Sequence, residues 1–417
     1  MSANETDDHD NRRAGLPGCL LCGQSLRPDA TLFLGPLVAC NRFGLPGGTA
    51  IETHDLSMSQ CDGCGLVQLV SIPPAAFVRP RNPWIRYNEP EAHLDSLAES
   101  LRGCFPAVDA TAIGVGPFDG PLLDRLGKRA VACAELDLAA DARVEAGTFP
   151  YLETIQASLR PGILAGLAAQ RGEADLVSCR YLLEHSHHPV AALRGLRALA
   201  NPDGVVLVEI PDSTKFLANR DYSFVWEEHV CYFTEDTFRA IACRAGFEVA
   251  DFLRYPGTLE DALVFVLRPA GPQPGQCAPQ GVAAAREAFQ GFLAGFGSTR
   301  EQYARALEGI CSRGQKAVIF GAGHQSIMFI NALGLQRYIS YVIDDSRDKA
   351  GLLVPGTGIE IVSSEKLMSD PSIAVCLLGV SPAAEPKIRA KCADYLIRGG
   401  RMVSIFPGSG SATLIDH

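Results

Sequence analysis

Two cysteine pairs near the start of the chain constrain its fold more than any other feature. Cys19 and Cys22 form the first pair, Cys61 and Cys64 form the second, and a glycine directly follows each pair. The two-residue gap allows both thiolates of a pair to reach one metal ion, and the glycine allows the backbone to turn toward it. Four sulfur ligands at about 2.3 Å complete a tetrahedral Zn2+ site with no open position. The spacing therefore predicts a structural zinc module.

A single pair of this kind would also fit a redox site or ordinary buried cysteines. The repetition of the pattern within a short stretch favours zinc over both alternatives. Cys40 and His54 lie between the pairs, and either residue type could replace a cysteine ligand. We interpret both as bystanders.

Length and composition limit the remaining possibilities. The chain has 417 residues, which is too long for one hydrophobic core and indicates two or three domains. Its longest apolar runs fall short of the roughly 18 residues that a membrane span requires. Residues 1–15 are polar and acidic, which predicts a disordered tail and a cytoplasmic protein whose fourteen cysteines do not pair. The net charge of -10 argues against a nucleic-acid partner.

The residue pattern changes several times along the chain. Residues 16–80 form the cysteine module, and residues 81–268 alternate short apolar strands with helices. That alternation predicts an α/β fold with a parallel sheet covered on both faces. Residues 269–312 read as a Pro/Gly-rich linker and a helix, and residues 313–417 as a second, smaller α/β domain.

The first strand of the central region ends in a glycine-rich turn. The turn runs from Gly114 to Gly120 and includes Gly116 and Asp119. Glycines allow the backbone to approach a ligand where a helix begins. Glu135 ends the next strand, where a carboxylate can accept hydrogen bonds from the ribose of a nucleoside. NAD and S-adenosylmethionine both fit this pattern.

Later segments favour the methyl donor. Residues 174–185 and the turn at residues 199–204 resemble the fourth strand and the turn before the fifth strand of class I methyltransferases. Further on, His229 follows Glu227 and Glu228 among aromatic residues. Aromatic neighbours exclude water and tune an imidazole for proton abstraction, although a lone histidine can equally be structural.

In this order, the segments resemble the sugar C-methyltransferase family, bacterial enzymes that methylate a carbon of nucleotide-linked keto-sugars. The resemblance covers nearly the whole chain. It includes the segment from Pro36 to Phe43, between the cysteine pairs, and the C-terminal turn from Phe320 to Gly323. It implies a four-cysteine zinc module, a class I methyltransferase core with a Rossmann-like sheet, and a C-terminal Rossmann-like domain.

The resemblance also implies the chemistry and the residues that perform it. A base removes the proton next to a ketone, and the resulting enolate attacks the methyl group of S-adenosylmethionine. The family's base falls on His229 and its acid on Glu228, while His185 would hydrogen-bond the enolate oxygen. The cofactor would lie on the glycine-rich turn and Glu135, and the substrate would be a nucleotide-linked keto-deoxysugar.

Several residues depart from the family pattern. Gly114 stands where the family carries an acid, Pro117 lacks a backbone N–H, and Phe118 replaces a polar residue. Glu227 stands where the family has the first histidine of a His-Glu-His segment. These changes support an alternative hypothesis, a family-derived protein that binds a nucleotide-sugar or a partner without methyl transfer.

Overall fold

The structure, a computed structural model, describes most of the chain. The tail predicted over residues 1–15 lies outside the described residues, as do residues 271–276 of the predicted linker. Within the described part, none of the helices combines the length and apolarity that a membrane crossing requires. The described residues are 16–48, 52–82, 84–85, 89–104, 109–129, 131–136, 161–270 and 277–416.

The strands of the described residues form three sheets, which are antiparallel, mixed and parallel in turn. In chain order the strands are β1 (Thr31–Leu37), β2 (His54–Gln60), β3 (Val67–Leu69), β4 (Thr111–Gly114), β5 (Ala132–Glu135), β6 (Ala174–Arg180), β7 (Ala200–Pro211), β8 (Cys231–Tyr232), β9 (Phe247–Tyr255), β10 (Ala262–Pro269), β11 (Lys316–Phe320), β12 (Ile339–Ile343), β13 (Ile361–Val362), β14 (Ile373–Leu378) and β15 (Arg401–Ser404).

Helices connect these strands and cover the sheets. They are α1 (Ala75–Val78), α2 (Leu94–Ser100), α3 (Gly120–Gly127), α4 (Pro161–Arg171), α5 (Pro189–Arg197), α6 (Thr214–Asn219), α7 (Glu235–Ala245), α8 (Val282–Cys311), α9 (His324–Ala332), α10 (Glu365–Ser369), α11 (Glu385–Lys391) and α12 (Ala393–Ile397). Short 3-10 helices lie at Pro28–Ala30, Leu101–Gly103, Leu183–His185, Tyr222–Phe224 and Gln336–Tyr338.

The first sheet joins the cysteine module to a distant part of the chain. Its order is β1-β2-β3-β8, and each pair is antiparallel. Strand β8 belongs to the central region, and its Tyr232 pairs with Val67 in β3. Because β8 begins shortly after His229, the segment that carries this histidine is anchored to the cysteine module.

The second sheet is the predicted α/β core. Its order is β5-β4-β6-β7-β10-β9, in which β5, β4, β6 and β7 are parallel and β10 is antiparallel to both neighbours. Residues 205–208 of β7 are fully buried, because helices α2 and α3 pack on one face of the sheet and α4 and α5 on the other. The predicted fold class is therefore confirmed.

The third sheet is parallel throughout, with the order β13-β12-β11-β14-β15. Helix α8 connects it to the rest of the molecule. Near its start, Arg286 donates to the carbonyl oxygen of Asp62 at 2.6 Å, and near its end Ile310 packs in the same core as Ile319. The amide of Leu353 also bonds the carbonyl oxygen of Gly44, so residues beyond α8 contact the cysteine module as well.

The expectation that the cysteines do not pair is wrong at one position. Cys243, in α7, forms a disulfide with Cys277, and their Cα atoms lie 5.4 Å apart. The expectation followed from the predicted compartment alone. It could not include the proximity of two segments 34 residues apart, which the tertiary fold creates.

Candidate functional site

The four cysteines of the two pairs come together in one cluster. Their sulfur atoms lie within 4.8 Å of one another, and the Cys19–Cys64 and Cys22–Cys61 sulfur atoms are 3.4 Å apart. Four ligands at about 2.3 Å around a tetrahedral ion lie about 3.8 Å from one another, so the donors fit such an ion with a small expansion. The cluster can therefore hold a metal ion.

The turns around the cluster explain the glycine after each pair. Gly23 donates its N–H to the Cys19 carbonyl oxygen, and Gly65 donates to the Cys61 carbonyl oxygen, both at 2.8 Å. Gly23 and Gly65 have φ values of 76° and 75°, which favour glycine. Each turn directs both sulfur atoms of its pair to the same side.

Cys40 and His54 lie outside this cluster. The backbone N–H and the thiol of Cys40 donate to the Glu227 carboxylate at 2.5 and 3.3 Å. His54 Nε2 lies 2.9 Å from the Ser71 hydroxyl. The first contact joins the cysteine module to the segment that precedes His229.

Asp119 shapes the glycine-rich turn from inside. Its carboxylate accepts the N–H groups of Val115 and Gly116 at 3.0 and 2.8 Å and the Ser178 hydroxyl at 2.5 Å. Asp119 is fully buried, and burial raises its pKa to about 6. The side chain that was predicted to bind the cofactor is therefore occupied in holding the turn.

The packing of the turn explains the absence of an acid at its first position. A Cβ atom on Gly114 would lie 2.6 Å from the Asp119 Cβ and 2.8 Å from Leu123, so a larger side chain does not fit. Gly114 pairs with Glu135 across β4 and β5. A Glu135 carboxylate oxygen lies 3.3 Å from where a Cβ of Gly120 would stand. The structure thus brings the predicted glycines and Glu135 together at the start of α3.

The sequence did not predict an ion pair that lies beside this turn. Arg180 donates from Nε to Glu209 at 2.6 Å, and both side chains are buried. The same guanidinium bonds the carbonyl oxygens of Phe118 and Pro90, and His93 Nε2 lies 2.8 Å from Glu209. Although burial opposes it, His93 and Arg180 hold the pKa of Glu209 below its usual range. Residues of the turn are thereby tied to β6 and β7.

Two other histidines and a tryptophan lie around the predicted base, His229. The His229 ring lies 4.7 Å from the His185 ring and 4.8 Å from the Trp226 ring, measured between centroids. His324, from the start of α9, stacks on Trp226 at 4.4 Å. Burial lowers the pKa of His185 to about 3, and burial with these two histidine neighbours lowers the pKa of His229. His229 is therefore a neutral imidazole at neutral pH and can accept a proton.

The cysteine module holds the segment before His229 at two points. Glu227 accepts the two Cys40 hydrogen bonds, and the Asn41 side chain donates to Glu228 at 3.2 Å. Glu227 thus has a structural partner at the position where the family carries a histidine. No pattern in the sequence signals this pairing, because the partners are 187 residues apart.

A cavity of about 320 Å³ adjoins this histidine cluster. The cysteine module, the Trp226 segment and the third sheet's first turn all line it. Its lining includes the Phe43 and Trp84 rings, whose centroids lie 5.4 Å apart, and also includes Trp226 and His324. The Lys349 ammonium lies 5.8 Å from the Phe43 ring centroid and is paired with Asp344. Aromatic walls and one cation suit a planar ring that carries an anionic group.

Two families of known domains match the chain. The family described as "Methyltransferase domain" matches residues 93–251, and the family described as "C-methyltransferase C-terminal domain" matches residues 280–407. The C-methyltransferase NovU of Streptomyces niveus is 25% identical in an alignment 411 residues long that covers 93% of this chain and 95% of that protein.

Solved structures show a weaker likeness. The Burkholderia thailandensis 1,6-didemethyltoxoflavin-N1-methyltransferase is 16% identical, with a TM-score of 0.28 over 43% of this chain and 77% of that chain. The CcbJ methyltransferase of Streptomyces caelestis is 13% identical, with a TM-score of 0.30 over 45% of this chain and 100% of that chain. The two matched domains and the relative aligned over 93% of this chain show an S-adenosylmethionine-dependent methyltransferase that is similar to bacterial C-methyltransferases.

Proposed function

We propose that the enzyme methylates a carbon next to the ketone of a nucleotide-linked keto-deoxysugar. The observation that carries this proposal is the neutral His229 imidazole, held between His185 and Trp226 beside a cavity large enough for a substrate. Methyl transfer to carbon requires a base that removes a proton from carbon. A neutral imidazole has the free lone pair that this task requires.

His229 takes the proton from the carbon, and the electron pair left behind forms the enolate. When bound, S-adenosylmethionine supplies the electrophilic methyl group that the enolate carbon attacks. Glu228 is the proposed acid that acts with His229. The Asn41 side-chain amide donates a hydrogen bond to one of its carboxylate oxygens at 3.2 Å. The water-poor surroundings of His229 keep the imidazole unprotonated before the reaction.

His185 has a different role from the one that the family resemblance implies. Its ring donates a hydrogen bond to the backbone carbonyl of Glu228, while its Nδ1 atom has no partner among the described residues. The donor is therefore Nε2, and Nδ1 of the neutral ring carries a lone pair. Such an atom accepts a hydrogen bond from a substrate hydroxyl but cannot donate one to an enolate oxygen.

The proposed cofactor site consists of Gly114, Gly116, Gly120 and Glu135. Larger side chains at these glycines would contact Asp119, Leu182 or Glu135, so glycine keeps the turn compact, and Glu135 is the proposed acceptor for the ribose hydroxyls. Asp119 maintains the shape of the turn and does not contact the cofactor. We also propose that Zn2+ is the ion of the four-cysteine cluster, with a structural role, because four thiolates leave no coordination position open.

The nucleotide part of the substrate is proposed to lie in the cavity of about 320 Å³. The aromatic pair of Phe43 and Trp84 offers a stacking surface for the base. Lys349 and the first N–H groups of α9 offer favourable electrostatics for the diphosphate. The ketone then points toward His229.

Deuterium exchange tests the proposed base. The enzyme is incubated in D2O with S-adenosylhomocysteine and a panel of nucleotide-linked keto-deoxyhexoses, and mass spectrometry follows the exchange of the C–H next to the ketone. His229→Asn is expected to lose exchange by about 100-fold or more. His188→Asn, an exposed histidine of the same region, is the matched control. Exchange that persists in His229→Asn would show that another group is the base.

Calorimetry tests the proposed cofactor site separately. S-adenosylhomocysteine is expected to bind the wild-type enzyme and to bind Glu135→Ala more weakly. Absence of binding to the wild type would favour the alternative of a protein that does not transfer methyl groups.

A further inference from the structure

Glu184, His185 and His229 form a second group of potential metal ligands, separate from the four cysteines. One donor atom from each lies within 4.8 Å of the other two. Glu184 and His185 lie in the 3-10 helix that follows β6, and His229 lies just before β8. The N–H of Val230 bonds the carbonyl oxygen of Glu184 at 2.9 Å, so the backbone holds the two segments together.

Glu184 and His185 each have a side-chain atom with no hydrogen-bond partner among the residues that the structure describes. These atoms are Oε2 of Glu184 and Nδ1 of His185, whose side chains belong to residues only 1% and 2% exposed. Buried polar atoms are nearly always hydrogen-bonded, so two such atoms on neighbouring residues of one cluster call for an explanation. A bound cation would satisfy both.

The orientation of His185 also matches that of a metal ligand. Its other ring nitrogen donates to the backbone carbonyl of Glu228, which leaves the Nδ1 lone pair without a partner among the described residues. Histidines that bind metals commonly donate their second N–H to a carbonyl or carboxylate, which fixes the tautomer.

We propose that Glu184, His185 and His229 bind a divalent transition-metal ion. Two imidazoles and one carboxylate are ligands of Zn2+, Co2+ and Fe2+, and three protein ligands leave a coordination position open. Ligand bonds of about 2.0–2.2 Å require the donor atoms to approach one another slightly from their present separation.

The ion inhibits methyl transfer, a consequence that rests on the proposed function of His229. Metal coordination and proton abstraction both use a lone pair of its imidazole. A metal-bound His229 cannot accept the proton of the substrate, so the enzyme is active only when this site is free of metal.

Cobalt binding to the full-length protein tests the proposal. The chain is stripped of metal, titrated with Co2+, and measured by metal analysis and absorption spectroscopy. We expect two cobalt ions per chain. One gives the intense sulfur-to-cobalt charge-transfer bands of a four-thiolate site, and the other gives only weak visible bands of nitrogen and oxygen ligands.

Matched variants identify the second ion's ligands. Glu184→Gln and His185→Asn are expected to weaken its binding by about 100-fold or more and to keep the thiolate bands, which also report that each variant is folded. His324→Asn, which changes a buried histidine near His229 outside the ligand set, is expected to keep both ions. Binding of one cobalt by the wild type, or retention of the second ion in both Glu184→Gln and His185→Asn, would overturn the proposal.

Inhibition is measured independently of the metal count. Excess Zn2+ is expected to slow deuterium exchange in the wild type, and a chelator too weak to remove the four-cysteine ion is expected to restore it. Two ions per chain together with no exchange on any substrate would refute only the proposed function. Undiminished exchange with both sites filled would overturn the inhibitory role.

Discussion

Replacing Arg180 by Met tests whether the buried ion pair beside the glycine-rich turn stabilises the fold. Arg180 and Glu209 are 1% and 0% exposed, and their contact is 2.6 Å long. Removing one partner of a buried pair costs about 3–5 kcal/mol, because the other charge stays buried. Arg180→Met also removes the donors to the Phe118 and Pro90 carbonyl oxygens. We therefore expect the free energy of unfolding to fall by about 3–5 kcal/mol.

Urea unfolding of the full-length chain, followed by circular dichroism, measures this loss. The matched control is Arg125→Met, since Arg125 pairs with an exposed Asp95 at 2.8 Å and such pairs contribute about 0–1 kcal/mol. The double variant Arg180→Met/Glu209→Leu is expected to be more stable than Arg180→Met alone, because no carboxylate is left without its partner. A loss below about 1 kcal/mol in Arg180→Met, or strictly additive effects in the double variant, would falsify the reasoning.

Three further predictions concern the turn, the metal cluster and the segment before His229. The raised pKa of Asp119, about 6 in the folded chain against about 3.9 unfolded, means that the folded state binds more protons between these values. Between about pH 5 and about pH 7.5, the unfolding free energy of the wild type should therefore fall by about 1 kcal/mol more than that of Asp119→Asn. The same change of unfolding free energy with pH in both proteins would contradict this prediction. Cys61→Ser should lower the bound zinc measured by atomic emission, whereas Cys104→Ser should not. Glu227→Ala leaves the buried Cys40 N–H unsatisfied and should cost about 1–3 kcal/mol in urea unfolding, and an unchanged midpoint would refute that contact.

Short-range patterns predicted much of the fold. Apolar runs at residues 112–115, 175–178 and 204–210 predict central strands, and the structure has them at Thr111–Gly114, Ala174–Arg180 and Ala200–Pro211. Continuous apolar runs bounded by turns are local signals, and burial on both faces of a parallel sheet produces them directly. The same holds for the cysteine turns, because a two-residue gap followed by glycine determines a local backbone shape.

Contacts between distant segments could not be predicted in this way. The pairing of β3 with β8, the Glu227–Cys40 contact and the Cys243–Cys277 disulfide each join residues that carry no matching local signal. No local sequence pattern marks Arg180 as a partner of Glu209, and only the packed sheet brings the two side chains together. Such contacts depend on which elements pack together, and many arrangements of the same elements share one sequence pattern.

The sequence by itself determined the four-cysteine cluster and the α/β core, because these follow from spacing and periodicity, while its resemblance to bacterial C-methyltransferases depends on particular motifs. Only the tertiary structure decided the electrostatic state of the candidate site. The pKa of His229 is lowered by burial and by His185 and His324, which come from separate regions of the chain. A proton affinity depends on desolvation and on neighbouring charges, and both exist only after folding has brought those regions together.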